Sequence, residues 1–215
     1  MSTEAEKTLL LEKFVGGGYS RRCFEHPLDS AKCVKVSAEG KEDADPLMEF
    51  RVAALVSPLL PGFVVDFYPV TIDTNCGEGI VCELVRDDDG TVSKSLRSYK
   101  DTGRIDGEIV SEINEFTRLL ISKDIFFYDF NYGNFVIKKE AGRKKLLMVD
   151  LKSFNNSGCD SFLDLEYKLA PLARNVMFRR IRRILYTELG IEFPWGDLCK
   201  KRRFWPLLVK VKLDC

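Results

Sequence analysis

The 215-residue chain carries 33 basic and 33 acidic side chains, with 45% apolar and 31% charged residues, the balance of an ordinary folded protein. Its longest apolar run, "FRVAALVSPLLPGFVV", is broken by Arg51, Pro58 and Pro61, so none reaches the roughly 20 residues that span a bilayer. The neutral total hides a polarity: residues 1–107 hold about six excess negative charges and residues 108–215 about six excess positive ones, which points to an anionic partner for the second half.

In chain order, "MSTEAEKTLLLEKF" lacks the basic-then-apolar order of a signal peptide, and a cytoplasmic location is expected. "TLLLEKFVG" reads as a strand running into Gly16-Gly17-Gly18. "RRCFEHP" and "AKCVKVSA" follow as strands, with His26 in the turn between them. Residues 46–60 read as a helix, with Asp45 as cap and Pro46 in a first-turn position. "GFVVDFYPVTID" and "GEGIVCELVR" are two more strands around the turn "TNCG", and "DDDG" is a loop.

The character then changes. "DGEIVSEINEFTRLLISKD" places Ile109, Ile113, Phe116, Leu120 and Ile121 on one helical face. Next come "FFYDFNYGNF", a strand "NFVIKK", a turn "GRKK" and a strand "LLMVDLKSF". The remainder reads as largely helical to about Gly190, beyond which Pro194 and Pro206 break the pattern. In "RNVMFRRIRRIL", Met177, Ile181, Ile184 and Leu185 would share a helix face with Arg179, Arg180, Arg182 and Arg183 around the rest. A solvated amphipathic helix is the plain reading; an anionic substrate, a membrane surface or nucleic acid is the functional one.

Seven cysteines without a Cys-x-x-Cys pair read as reduced thiols. A single histidine, His26, argues against a His/Cys zinc site or a Ser-His-Asp triad. Other polar residues are better placed. The three glycines either let backbone amides approach a phosphate or simply close a hairpin. Lys35, between Val34 and Val36, points opposite to its neighbours; turned inward it needs an anion, and otherwise it is a surface lysine on an edge strand. Glu49 on the helix is either its partner or an exposed acid. Asp129 and Asn134 interrupt an apolar, aromatic stretch. Asp150 ends the run "LLMV", where an acid is costly unless paired, capping a helix or bound to a cation.

Glycine loop, strand lysine, helix glutamate, Asp-x-x-x-x-Asn and a final acid follow the order of the protein-kinase signature set. More specifically, "FVGGGYSRRCFEHPLDSAKCVKV", "MEFRVAALV", "TNCGEGIVCELVRDDDG" and the segment around Asp129 resemble the YrbL family, kinase-like proteins of the PhoP regulatory network, over roughly residues 10–185. The resemblance implies an α+β, small protein-kinase-like bilobal fold in a single domain of residues 1–215. Its N-lobe, about residues 8–86, would hold a five-stranded antiparallel sheet with one helix. A hinge near Glu83 to Arg86 would lead into a shortened, mostly helical C-lobe, about residues 87–215.

The kinase signature order implies ATP and Mg2+ as cofactors. Gly16, Gly17, Gly18 and Lys35 would hold the phosphates, Glu49 would orient Lys35, and backbone groups of Glu83 and Val85 would meet the adenine. Asp129 would serve as base, and Asn134 and Asp150 as metal ligands. The expected activity is phosphoryl transfer to a hydroxyl of a protein, saccharide or lipid acceptor, with an anionic acceptor near Arg179, Arg180, Arg182 and Arg183. No integral membrane association is expected, and nucleic acid is not the expected partner. Departures support the alternative of a pseudokinase or nucleotide-binding regulator: Arg21 replaces the third glycine, Leu151-Lys152 replaces the usual Phe-Gly after the acid, and the C-lobe is short; Tyr128 before Asp129 argues against control through a phosphorylated activation loop. Asn131 stands near a position that varies with acceptor class, and "LAPLA" is a poor match to the "APE" segment.

Overall fold

Side chains of a β-strand alternate between faces, and a strand buried on both sides must satisfy two environments at once. The computed structural model describes residues 8–41, 47–123, 125, 131–151 and 182–191. In it β1 (Phe14–Gly17), β2 (Arg21–His26), β3 (Asp29–Ser37), β4 (Phe67–Thr74) and β5 (Gly77–Glu83) form an antiparallel five-stranded sheet. The strand order is β1-β2-β3-β5-β4. β3 is therefore central, and Lys35 is not an edge-strand lysine. Val34 and Val36 pack with Leu11 and Phe24 on one face, whereas Cys33 faces the main core.

The outer face is closed by the chain before β1. Leu9 N–H donates to the Asp73 carbonyl at 2.8 Å, and Leu11 N–H donates to Asn75 Oδ1 at 2.7 Å. Beneath that cover the packing is close. A methyl group at Gly79 on β5 would lie 2.5 Å from Val34 Cγ1 and 2.9 Å from Val36 Cγ1. Gly79→Ala is expected to destabilise the protein by about 1–3 kcal/mol through overpacking, read as a lower midpoint in urea unfolding.

The inner face is covered by α1 (Met48–Val56), shorter than the expected helix. Leu47 takes the N-cap position without a side-chain hydrogen bond, and Asp45 and Pro46 lie outside the described residues. Pro58, lacking an N–H, cannot continue the ladder, and turns carry the chain to Phe63.

The second lobe holds β6 (Lys94–Ser95), α2 (Leu96–Asp101), α3 (Gly107–Lys123), a 3-10 turn (Tyr132–Asn134), β7 (Phe135–Glu140), β8 (Arg143–Met148) and a π-helical turn (Arg182–Thr187). β6, β7 and β8 form a second antiparallel sheet. The sequence reading did not include β6 or α2, because a two-residue strand and a six-residue helix carry too few residues to show a period. A cap does mark α2: Ser95 Oγ accepts from Ser98 N–H at 3.2 Å. The expected "GRKK" turn moves upstream. Ala141 and Gly142 form it, with φ of 50° and 73°, the left-handed pair that a two-residue hairpin favours, and Arg143 already belongs to β8. β8 in turn stops at Met148, before the acid expected to lie in it.

α3 follows its predicted periodicity: Ile109, Ile113, Phe116 and Leu120 are fully buried. One hydrophobic core runs through both lobes, from Cys33 and Phe67 through Phe116 to Met148 and Tyr186. Backbone bonds reinforce the junction, with Met148 N–H donating to the Phe63 carbonyl at 2.7 Å and Val65 N–H to the Met148 carbonyl at 3.2 Å. The acidic loop contributes too: buried Asp87 accepts from Ser93 Oγ at 2.5 Å and from Lys139 N–H at 3.0 Å. The result is an α+β protein of two small lobes. Among the described residues no helix is long and apolar enough to cross a membrane.

Candidate functional site

A lysine on the inner face of a central strand loses its hydration, and only an opposing charge makes that position tolerable. Lys35 is 8% exposed and Glu49 is fully buried. The Lys35 ammonium donates to Glu49 Oε2 at 2.8 Å. α1 supplies this carboxylate by laying its Glu49, Ala53 and Val56 face onto the sheet. Lys35 Nζ also donates to the Val149 carbonyl, just past the end of β8, so one side chain joins the two lobes. Burial alone would push the lysine down; the charge of Glu49, aided by Cys82 and Asp150, outweighs it and holds Lys35 above the usual lysine range.

Val149 ties in the next pair. Its N–H donates to the Asn134 carbonyl at 2.9 Å, setting Asn134, at the end of the 3-10 turn, beside the strand end that leads to half-buried Asp150. Lys35, Glu49, Asn134 and Asp150 thus meet where the lobes join. Asp129, Tyr128 and Lys152 lie outside the described residues.

The glycine loop is a hairpin connecting β1 and β2, closed by Gly18 N–H donating to the Arg21 carbonyl at 2.9 Å. Of the three, Gly17 is the crowded one: a Cβ there would sit 3.0 Å from the Arg21 carbonyl oxygen, while Gly16 and Gly18 would meet nothing within 4 Å. Both sequence readings of these glycines are therefore compatible, since a tight hairpin can present bare backbone to an anion. At the hinge, Glu83 N–H donates to the Asp66 carbonyl at 2.8 Å and the Val85 carbonyl accepts from Ser93 N–H at 3.0 Å. These two groups are committed to the fold.

A family model described as PhoP regulatory network protein YrbL matches residues 8–187 of the chain. The chain belongs to this family. Two curated YrbL relatives, from Escherichia coli (strain K12) and Shigella flexneri and each named "Uncharacterized protein YrbL", are 28% identical over 98 residues. That stretch covers 44% of this chain and 47% of each relative, so the chain spans about half the length of the curated proteins it matches. The YrbL family match takes in all four site residues that the fold gathers, from Lys35 to Asp150.

Several features of this YrbL-family site were not foreseen. Arg21 is buried and turned inward, with a guanidinium nitrogen 3.6 Å from Glu49 Oε1, so Glu49 faces two cations. Arg21 and Cys23 share a strand face and Cys23 registers opposite Lys35, a pairing that only the strand register reveals. Asn131 proves to be an architectural residue: its side chain caps the 3-10 turn by accepting from Gly133 N–H at 3.0 Å and also accepts from Arg97. His26 is the expected turn residue, its Nδ1 accepting from Leu28 N–H at 3.3 Å.

Of the basic segment, Arg182 and Arg183 are exposed. Arg179, Arg180, Met177, Ile181, "LAPLA" and "KKRR" lie outside the described residues, as do the side chains of Ile121, Ile184 and Leu185. The turn bearing Arg182 and Arg183 is anchored by Tyr186 OH donating to Asn114 Oδ1 at 3.0 Å, and the adjoining Glu188 accepts from Tyr132 OH at 3.2 Å.

Proposed function

We propose that the cleft binds ATP with magnesium and that the protein is a kinase-like phosphotransferase acting on a hydroxyl of a protein, saccharide or lipid acceptor. The observation that carries this reading is the buried Lys35–Glu49 pair, bonded through Val149 to the segment that carries Asn134 and Asp150. ATP would supply the transferable phosphoryl group, and the magnesium bound with it would neutralise the charge of the phosphates. The residues present fit that group. Gly17 leaves the hairpin backbone bare, Lys35 provides a fixed cation, and Asn134 and Asp150 provide oxygen donors, the ligand type magnesium takes.

Under this reading Glu49 keeps Lys35 charged and aimed, while Asp129 accepts or positions the acceptor proton. The Glu83 carbonyl and the Val85 amide are the hinge groups that would meet adenine. The exposed Arg182 and Arg183 would draw in an anionic acceptor. Catalysis of this kind is mostly positioning and charge stabilisation, so a few residues in fixed relation suffice.

A second reading, a nucleotide-binding regulator without turnover, is favoured by Arg21. Its contact with Glu49 competes with Lys35 for the same carboxylate. Thermal unfolding with ATP separates both readings from a cleft that binds no nucleotide. At a ligand concentration of about 100 Kd, stabilisation of about 2.7 kcal/mol is expected, dependent on magnesium and lost in Asp150→Asn. An equal shift without magnesium, or one unchanged in the variant, would refute the site. Phosphoryl transfer abolished in Asp129→Ala then distinguishes the transferase from the regulator.

A further inference from the structure

The second sheet changes character along its length. On one face of the β7–β8 hairpin, Phe135, Ile137, Leu146 and Met148 are buried in the core beside α3. Two residues farther along each strand the same face carries Lys139 and Lys144, which stand directly opposite each other. Like charges so placed repel. On the reverse face the opposed pair Lys138 and Lys145 shares Glu140, at 2.6 and 3.8 Å. Lys139 and Lys144 share no such acid. Instead, with Lys94 of β6 and the segment 102–106 that joins α2 to α3, they line a cavity of about 550 Å3, a size typical of small-molecule sites.

The walls are fixed by the fold. Gly103, at φ 64°, ends α2 with its N–H donating to the Lys100 carbonyl at 3.0 Å, and Arg104 N–H donates to the Tyr99 carbonyl at 2.8 Å. At the other end of the segment, Asp106 accepts from Ile109 N–H at 3.1 Å and pairs with Lys144. Charge in the cavity is one-sided. Lys94, Arg104, Lys139 and Lys144 line it, and Asp106 is the only acid among the described residues that do so. Lys139 also meets Asp87 at 3.4 Å, from outside the lining. Four cations against these two acids leave two positive charges. They belong to the exposed Lys94 and Arg104, whose side chains have no carboxylate partner among the described residues.

We infer that this cavity binds a small phosphate monoester. Such a group carries about −1.5 to −2 charge at neutral pH, which matches the two positive charges that the fold leaves over. A single carboxylate would meet only half of them. Lysine ammonium groups act on phosphate as point charges, and the Arg104 guanidinium adds a planar fork of donors. The Tyr99 ring and Ile105 give apolar wall for the carbon body of the ester, and Ser98 gives a hydroxyl for its polar groups. The site is separate from the Lys35 cleft. β7 begins at Phe135, next to Asn134, and Lys139 lies four residues, about 13 Å, farther along the strand. It stands whether or not the cleft takes nucleotide.

Glucose 6-phosphate and inorganic phosphate are titrated into the full chain by calorimetry at constant ionic strength, with glucose as the control. Both phosphates are expected to bind, glucose 6-phosphate the more tightly, and glucose not at all. Replacing both exposed cations, Lys94→Gln with Arg104→Gln, is expected to weaken glucose 6-phosphate at least about tenfold, the loss of two charge-assisted contacts. Lys123→Gln, at the far end of α3, leaves the affinity unchanged. In the wild-type protein the amide NMR signals of Gly103 and Ile105 shift during the titration before those of Gly17 and Gly18, a readout that needs no variant. The proposal is overturned by no binding at millimolar concentration, by an affinity no lower in the double variant than in Lys123→Gln, or by shifts centred on the glycine hairpin. Glucose binding as tightly as its phosphate ester overturns it too.

Discussion

Glu49→Gln is expected to lower the unfolding free energy by about 3–5 kcal/mol, the cost of leaving buried charge uncompensated. Glu49 is fully buried and faces Lys35 at 2.8 Å and Arg21 at 3.6 Å. Removing its charge takes the carboxylate away from two cations at once. Lys35→Met is expected to cost roughly half as much, because Arg21 remains beside the carboxylate. The asymmetry is the informative part. Urea unfolding of the two variants side by side checks it, and equal losses would mean that Arg21 gives Glu49 no useful compensation. The same pair of variants separates structural from ligand effects, since Lys35→Met keeps a carboxylate and a cation in place while removing the lysine proposed to meet phosphate.

Phe116→Ala is the second large effect, expected at about 3–5 kcal/mol from lost burial and the cavity left behind. Phe116 is fully buried in α3, with its ring centroid 5.4 Å from that of Phe63 and 5.4 Å from that of Phe135. Phe63 lies on the segment that bonds to Met148, and Phe135 directly follows Asn134. One ring thus supports both the junction between lobes and the strand that positions a proposed metal ligand. Phe116→Leu, which retains most of the apolar volume, is expected to cost less than about 1.5 kcal/mol. Thermal unfolding of the two variants checks the order; a loss in Phe116→Ala no larger than in Phe116→Leu would show that the site collapses to fill the space.

Much of the fold was legible because it is written in periods. The alternation around Lys35 placed it opposite Val34 and Val36, which do line the other face, but left open whether it turned inward. The spacing of Ile109, Ile113, Phe116 and Leu120 predicted a helix with one buried side, which α3 provides. Short elements left no such trace. β6 and α2 have too few residues for a period, and the Ala141–Gly142 turn was displaced because an alanine at positive φ is an uncommon occupant of such a turn. The family was legible in "RRCFEHP" and "CGEGIVCEL", and the match over residues 8–187 bears this out.

Sequence by itself determined the apolar face of α3 and the alternation of β3, since these follow the local period of the backbone. It also set the order of Lys35, Glu49, Asn134 and Asp150 along the chain. Tertiary structure alone decided what those residues touch. Arg21 against Glu49, Val149 against Lys35, and Cys33 against Cys82 are pairings between segments, fixed by strand register and by the docking of α1. Register depends on how whole strands align, and a one-residue slip would turn every one of these side chains to the other face.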